Sequence, residues 1–187
     1  MSISLNQQKK DALKELIWYI CQNYSHQLFE TKLWKLVFFC DTDYYQKYSS
    51  LLTAVPYIKN KRGPTPSYSL AKKAIDELVK DGYIVKTENS TYVALKEYPL
   101  KQLDNQKVDA ISNTCEKYYK LSSNEICTLA HRDPVYLATE NLNELLDFSF
   151  VAYRDDGAPD GEEDEDIPST ITFSQKAKEN LLKTVFA

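Results

Sequence analysis

The sequence predicts a mainly α protein with a small β-hairpin, an α+β fold in which a helical bundle carries a winged-helix-like hairpin. Long stretches of the chain repeat apolar residues with the 3.6-residue period of an amphipathic helix. Two short strand-like segments face each other across a polar turn near residue 89. The 187 residues include only four glycines and seven prolines, too few for the many tight turns of a β-sandwich or barrel.

Two long helices are predicted in the first quarter of the chain. Residues 5–24 carry an apolar stripe with the i, i+3, i+4, i+7 spacing of a helix that packs on one face. Residues 28–48 contain a segment that is apolar nearly all round, which indicates a buried central helix. Lys32 and Lys35 interrupt that segment, so we expect each ammonium group to reach solvent or to meet an acidic side chain.

A break follows, and a third helix begins after it. Residues 53–58 are expected to be extended. Gly63 and Pro64 then stop regular structure, and Pro66 suits the first position of a helix, because its missing N–H would be unpaired there anyway. The threonine before Pro66 is the predicted cap. This helix runs to residue 80, and Gly82 ends it in the left-handed conformation.

The predicted hairpin comes directly after the third helix. Its strands are residues 83–87 and 91–96, joined by the turn Glu88-Asn89-Ser90. A helix followed at once by a hairpin is the layout of a winged-helix module. That similarity concerns the fold and does not fix the function.

The later helices are predicted mainly from their start signals. Residues 100–120 are expected to form a fourth helix. Ser122 and Glu125 belong to a capping box that opens a short fifth helix. Asp133 with Pro134 has the pattern of another cap and first-turn proline.

The C-terminal part of the chain is strongly acidic. Residues 155–166 hold eight of the 27 acidic side chains and no basic one, so the rest of the chain has 19 acidic against 23 basic residues and a net charge of +4. Like charges repel, which indicates a mobile loop. We therefore predict a helical domain over residues 1–154, an acidic mobile loop over 155–168 and a C-terminal helix over 169–187 that packs on the domain.

Residues that could carry chemistry are few. Cys127 and His131 are four residues apart, but no second Cys/His pair has the spacing of a zinc site. Neither a glycine-rich phosphate loop nor a GxSxG elbow is present. We expect no metal, no cofactor and no catalysis. An enzyme built on Asp41, Asp43 and His131 is the least favoured hypothesis.

The expected location is the cytoplasm. The sequence has no apolar run long enough to span a membrane, and its N-terminus lacks the apolar stretch of a secretory signal. The four cysteines match no disulfide framework, which is typical of a reducing compartment. The basic group Lys59, Lys61 and Arg62, beside Tyr57, could contact nucleic acid or flank a protein interface.

Two stretches, KLWKLVFFCDTDYY and YIKNKRGPTPSYSLAKKAIDELVKDGYI, resemble the SocA-like antitoxin domain, also called the Panacea domain. The similarity covers roughly residues 8–140. The matching residues are Lys32, Leu33, Lys35, Leu36, Phe38 and Asp41 in the helix, Gly63, Pro64 and Pro66 in the turn, Gly82 and Ile84 after the next helix, and Ala130, His131, Asp133 and Pro134 further on. Ala130 and Tyr136 stand where the family has a serine and a tryptophan.

The resemblance implies an antitoxin that neutralises a cognate protein toxin by direct protein–protein binding. It also implies that a protease could be a second partner, because some members are suggested to deliver their toxin to one. The candidate partner-binding residues are Lys32, Lys35, Asp41, Tyr57, Lys59, Arg62, Gly63, Pro64, Pro66 and His131.

The alternative function is a winged-helix DNA-binding regulator that places residues 66–80 in the major groove. Lys72, Lys73 and Lys80 suit that role. The three acidic side chains at positions 76, 77 and 81 would repel phosphates, so direct binding of nucleic acid is not expected.

Overall fold

Six α-helices, one 3-10 helix and two small antiparallel hairpins build residues 5–154, the part of the chain that this computed structural model describes. Helices α1 to α6 span Leu5–Asn23, Glu30–Tyr48, Tyr68–Lys80, Asn105–Tyr118, Ser123–Arg132 and Pro134–Leu137. Strands β1 to β4 span Tyr57–Ile58, Thr65–Pro66, Ile84–Lys86 and Tyr92–Ala94, and the 3-10 helix spans Phe148–Tyr153. The predicted fold class, mainly α with a small β-hairpin, is confirmed.

Helix α2 lies at the centre of the fold. It packs against α1 on one side and against α4, α5 and the 3-10 helix on the others. Leu33, Leu36, Val37 and Phe38 are fully buried along it. The nearly continuous apolar run therefore predicted its place correctly, because a helix that is apolar all round can be covered only by neighbours on every side.

Helix α3 begins at Tyr68 and not at Pro66, as the sequence had indicated. Thr65 and Pro66 form β2, which pairs with β1 in a two-residue antiparallel hairpin. The Thr65 hydroxyl donates to the Gly63 carbonyl at 3.1 Å and caps no helix. A proline fixes φ near −65°, which suits a strand as well as a first helical turn, so the local signal did not distinguish the two.

The end of α3 agrees with the prediction. Gly82 has a φ of +71°, and its N–H donates to the Val79 carbonyl at 3.0 Å. The Tyr83 N–H donates to the Leu78 carbonyl at 2.9 Å. These two bonds make a Schellman cap, which a glycine at this position accommodates without steric cost.

The winged-helix-like hairpin is also confirmed. Strands β3 and β4 pair antiparallel, with Val85 opposite Val93. The outer side of β4 is held by the turn between α1 and α2, where the Tyr92 N–H donates to the Leu28 carbonyl at 3.0 Å. Helix α1 packs on both α3 and β4. The hairpin is thus fixed to the body on its β4 side.

Helix α4 begins at Asn105, later than the predicted residue 100. Its cap is Asp104, whose side chain accepts from the Lys107 N–H at 2.9 Å. The preceding residues 101–103 are kept out of the helix because their N–H groups donate to the buried Glu15 carboxylate. The capping box that opens α5 is present as predicted.

The acidic segment predicted over residues 155–168 and the helix predicted over 169–187 fall outside the described residues. Among the helices that the structure describes, none is long and apolar enough to cross a bilayer.

Candidate partner-binding site

The loop between β1 and β2, residues 59–64, gathers most of the predicted site residues. We call it the β1–β2 loop. It lies against α2, α5 and α6, which bring side chains to it from distant parts of the sequence. Lys35 reaches it from α2, and His131 reaches it from the end of α5. Asp41 and Tyr57 lie at the base of β1, and Lys32 lies elsewhere.

Each main-chain carbonyl of the β1–β2 loop has a hydrogen-bonding partner. The contacts are Lys59 O with the Asn143 N–H at 2.8 Å, Asn60 O with the Tyr136 hydroxyl at 2.8 Å, Lys61 O with His131 Nε2 at 3.2 Å, Arg62 O with Cys127 Sγ at 3.8 Å, Gly63 O with the Thr65 hydroxyl at 3.1 Å, and Pro64 O with Lys35 Nζ at 2.6 Å. These contacts join the loop to α2, α5, α6 and residue 143, and so restrain its conformation.

Lys35 is buried at 1% exposure, and its ammonium group donates a hydrogen bond to the Pro64 carbonyl. Burial lowers the pKa of its ammonium group to about 8. Gly63, with a φ of +89°, lies directly over this side chain, and a Cβ there would be 3.0 Å from Lys35 Cε. The positive φ favours a glycine at this turn, and any larger side chain would also displace the end of Lys35.

Lys32 is likewise buried, and its pKa is lowered by desolvation. Its Nζ donates to the His26 carbonyl at 3.1 Å and to the Tyr119 carbonyl at 2.5 Å. The expectation that Lys32 and Lys35 reach solvent or an acid is wrong for both. Main-chain carbonyls at chain turns and helix ends lack helical partners, and a long buried side chain can satisfy them.

His131 is held between two carbonyls. Its Nδ1 is 2.7 Å from Cys127 O and its Nε2 is 3.2 Å from Lys61 O. The ring also meets Tyr136 edge to face, with centroids 4.9 Å apart. A neutral imidazole can donate to only one of these carbonyls, whereas an imidazolium donates to both. Either form joins α5 to the loop.

The basic side chains of the loop differ in accessibility. Lys59 is half-buried, with its Nζ donating to the Thr139 carbonyl at 2.5 Å and lying 4.6 Å from the centre of the Tyr136 ring. Lys61 and Arg62 are exposed. The loop thus presents two cations to solvent at its tip.

Asp41 of α2 holds β1 in place through Tyr57, the first residue of that strand. Asp41 accepts from the Thr53 N–H at 2.9 Å, from the Thr53 hydroxyl at 2.8 Å and from the Tyr57 hydroxyl at 2.5 Å. Burial raises the pKa of the Asp41 carboxyl to about 6, against the opposing effect of these bonds. Burial also raises the pKa of Tyr57 well above its ordinary value. In this conformation both residues hold the fold and do not reach a partner.

The three residues of the enzyme hypothesis, Asp41, Asp43 and His131, each have separate partners in the structure. Asp41 is enclosed by Thr53 and Tyr57, whereas Asp43 pairs with Arg154 at 2.7 Å and accepts from Thr114 at 3.0 Å. The hydrogen-bonding partners of His131 within residues 5–154 are two main-chain carbonyls. Within residues 5–154, no group of three or more His, Cys, Asp or Glu side chains could hold a metal ion.

Sequence reasoning missed the role of Arg154. Its guanidinium reaches Asp43 at 2.7 Å, Asp133 at 2.5 Å and the Thr42 hydroxyl at 2.6 Å. Burial raises the pKa of Asp133, and the Arg154 charge acts against that rise. No local signal marked this residue, because its partners lie 21 to 112 positions away in the chain.

The exposed face of α3 and the hairpin border a groove of about 580 Å³. Trp34, Ile75 and Tyr92 lie on its floor, and Thr65 of β2 also lines it. Tyr68 lines the groove and is 70% exposed.

The rim of this groove carries charges of both signs. Lys72 pairs with Asp76 at 3.0 Å, and Lys86 pairs with Glu30 at 3.7 Å. Lys80 also lines the groove. Among the described residues, the groove lining thus carries three lysines and two acidic side chains, whereas Glu77 of α3 pairs with two lysines of α1.

A protein-family model described as the antitoxin SocA-like, Panacea domain matches residues 33–135. The matched range covers more than half of the chain and includes α3, α4, α5, both hairpins and the β1–β2 loop. Searches of curated proteins and of solved structures found no match.

Proposed function

The chain belongs to the SocA-like antitoxin family with a Panacea domain, and from that premise we propose that it neutralises a cognate protein toxin by direct binding and without catalysis. The observation that carries this proposal is the family match over residues 33–135. The β1–β2 loop lies inside that range, and its rigid conformation favours recognition of a partner, since a preorganised surface loses less conformational entropy on binding.

The titratable groups under the loop support a binding role. Lys35 and Asp41 are each engaged by fixed hydrogen bonds inside the protein, and His131 by fixed contacts to carbonyls. A general acid or base must reach a substrate proton, and these side chains already have structural partners.

We also propose a cytoplasmic location. Cys40 and Cys115 are free thiols with their Sγ atoms 3.7 Å apart in the core. A reducing compartment such as the cytoplasm would keep two thiols this close from forming a disulfide. A protease as second partner is a prediction of the resemblance alone.

The test is co-expression in bacteria of the chain with each neighbouring open reading frame. We expect one neighbour to stop growth alone, growth to return when the chain is present, and the two proteins to co-purify. Leu36→Asp, which places a charge in the core, is the control and should neither restore growth nor co-purify. If no neighbour is toxic, or if growth returns without a complex, direct neutralisation is wrong.

A further inference from the structure

The groove along α3 adjoins the β1–β2 loop at Thr65. Thr65, which lines the groove, donates to the Gly63 carbonyl of the loop at 3.1 Å. The exposed Arg62 is the residue before Gly63. The groove and the cationic tip of the loop are thus connected through residues 62–65, and we call the two together the groove–loop surface.

The apolar area that this surface offers a partner comes from its edge. Trp34 and Ile75, on the floor, are each only 8% exposed and leave little area free. At the edge, Tyr68 is 70% exposed and Val79 is 40% exposed. A tyrosine brings a large apolar ring with a polar tip at low entropic cost, which is why this residue type often dominates binding energy.

The charges around this surface define the chemistry of its partner. The two acids of the groove rim, Glu30 and Asp76, are each paired with a lysine. Lys61 and Arg62 are exposed at the loop end, and Lys80 lies along the groove. Both acidic side chains of the rim are already paired, so the remaining charge of this surface is positive. A positive surface complements a partner that carries carboxylates.

Two features that are unfavourable for folding stability hold the β1–β2 loop rigid, and a simple connecting loop would not need them. A buried lysine whose pKa is lowered to about 8 holds Pro64, and a left-handed glycine lies against it. Features that violate local rules of stability tend to occur where function requires a fixed geometry. Here the geometry that they fix is the position of Lys61 and Arg62 beside the groove.

We propose that the groove–loop surface is the toxin-binding site, and that it takes an amphipathic segment of the toxin whose apolar side chains enter the groove and whose carboxylates meet Arg62 and Lys61. The inference rests on the proposed antitoxin function. A guanidinium can bind a carboxylate through two parallel hydrogen bonds, so Arg62 fixes the orientation of the segment as well as its charge.

The experiment uses the full chain and the neighbouring gene product that it neutralises. Two variants test the surface, Arg62→Glu for its cationic end and Tyr68→Ala for its apolar edge. Matched controls are Lys120→Glu, an exposed cation outside the groove, and Tyr153→Ala, a tyrosine of the 3-10 helix that is 48% exposed. Each variant is first checked for an unchanged melting temperature.

We expect each surface variant to weaken toxin binding by roughly 30-fold or more and to abolish growth rescue, while each control stays within about threefold of the wild type. We also expect the affinity to fall as salt is raised, and less steeply for Arg62→Glu. Replacing the partner carboxylate by lysine should restore binding to Arg62→Glu and weaken binding to the wild type.

Three outcomes would overturn the inference. If the wild type neutralises the toxin and both surface variants do so equally well, the binding site lies elsewhere, although the antitoxin function stands. If Arg62→Glu loses affinity for duplex DNA but keeps its affinity for the toxin, the surface binds nucleic acid and is not the toxin-binding site. If the wild type neutralises no neighbour, the proposed function fails and this inference fails with it.

Discussion

The carboxylate of Asp41 is surrounded by uncharged hydrogen-bond donors, and none of its partners in the described part of the chain is a cation. Thr53 contributes its N–H and its hydroxyl, and Tyr57 contributes a hydroxyl at 2.5 Å. These bonds stabilise the charged form, but desolvation is the larger effect and raises the pKa to about 6. Asp41 therefore binds its proton more tightly in the folded protein than in the unfolded chain, where the pKa is near 3.8.

This difference gives a pH dependence with a definite sign. Because the folded state retains the proton up to about pH 6, the contribution of Asp41 to stability is complete below about pH 4 and is lost as pH rises from 4 to 6. The loss is up to about 3 kcal/mol of unfolding free energy. In Asp41→Asn we expect this fall to be absent. Urea denaturation of wild type and variant at half-unit pH steps measures it.

The comparison needs a control, because other carboxylates titrate in the same range. Asp109 is exposed on α4, and Asp109→Asn should leave the pH profile of the wild type unchanged. An Asp41→Asn profile parallel to that of the wild type between pH 4 and 6 would show that Asp41 does not carry the effect.

At the scale of single elements, the sequence predicted what local periodicity determines. Helices α1 and α2, the Gly82 cap and the β3–β4 hairpin were found because each has a signal within its own residues. The pairing of β1 with β2 was missed, because two-residue strands carry no period and Pro66 fits a helix start equally well.

The same limit applies to the candidate site. The family resemblance selected Lys35, Gly63 and His131, and the structure brings these three together. Their contacts could not be predicted, because the partners of Lys35 and His131 are main-chain carbonyls, which no residue type marks in a sequence. The groove was also missed, since its lining comes from α2, α3 and both hairpins.

Glu15 determines where α4 begins. It is 2% exposed, and its carboxylate accepts from the N–H groups of residues 101, 102 and 103 at 3.0, 2.8 and 3.0 Å. We expect Glu15→Ala to lower the free energy of unfolding by about 3 kcal/mol, because three donors lose their shared acceptor in a half-buried place. Equilibrium denaturation measures the loss.

Hydrogen exchange gives a second measure of the same effect. The amides of residues 101–103 should lose protection in Glu15→Ala, whereas Glu97→Ala, at an exposed position in the segment between the hairpin and α4, should change neither stability nor exchange. A loss below 1 kcal/mol would mean that water replaces the carboxylate and that Glu15 does not hold this segment.

At the scale of the whole molecule, Arg154 joins parts that are far apart in the chain. Its guanidinium bonds Asp43 on the central helix α2 and Asp133 at the cap of α6. Asp133 in turn accepts from the Val135 N–H at 2.9 Å, which starts α6. Tyr136 of α6 then donates to the β1–β2 loop at Asn60. The ion pairs of Arg154 therefore support the β1–β2 loop through the short helix α6.

We expect Arg154→Met to destabilise the fold by about 3 kcal/mol, since removing one partner leaves the buried Asp133 carboxylate uncompensated. For a protein of this size that corresponds to a fall of about 10 °C in Tm. The Tm of Arg154→Lys should lie between those of the wild type and Arg154→Met, because a single ammonium cannot reach both carboxylates in the guanidinium geometry. Arg132→Met, at an exposed arginine on α5, should change Tm little.

The ion pairs of Arg154 also predict an effect on the distant β1–β2 loop. If α6 depends on Arg154, the Gly63 amide, which donates to the Asn60 carbonyl at 2.8 Å, should exchange faster in Arg154→Met than in the wild type under native conditions. Arg132→Met should leave that exchange rate unchanged. Destabilisation without faster exchange at Gly63 would show that Arg154 holds the core but that the loop keeps its conformation through Lys35 and His131 alone.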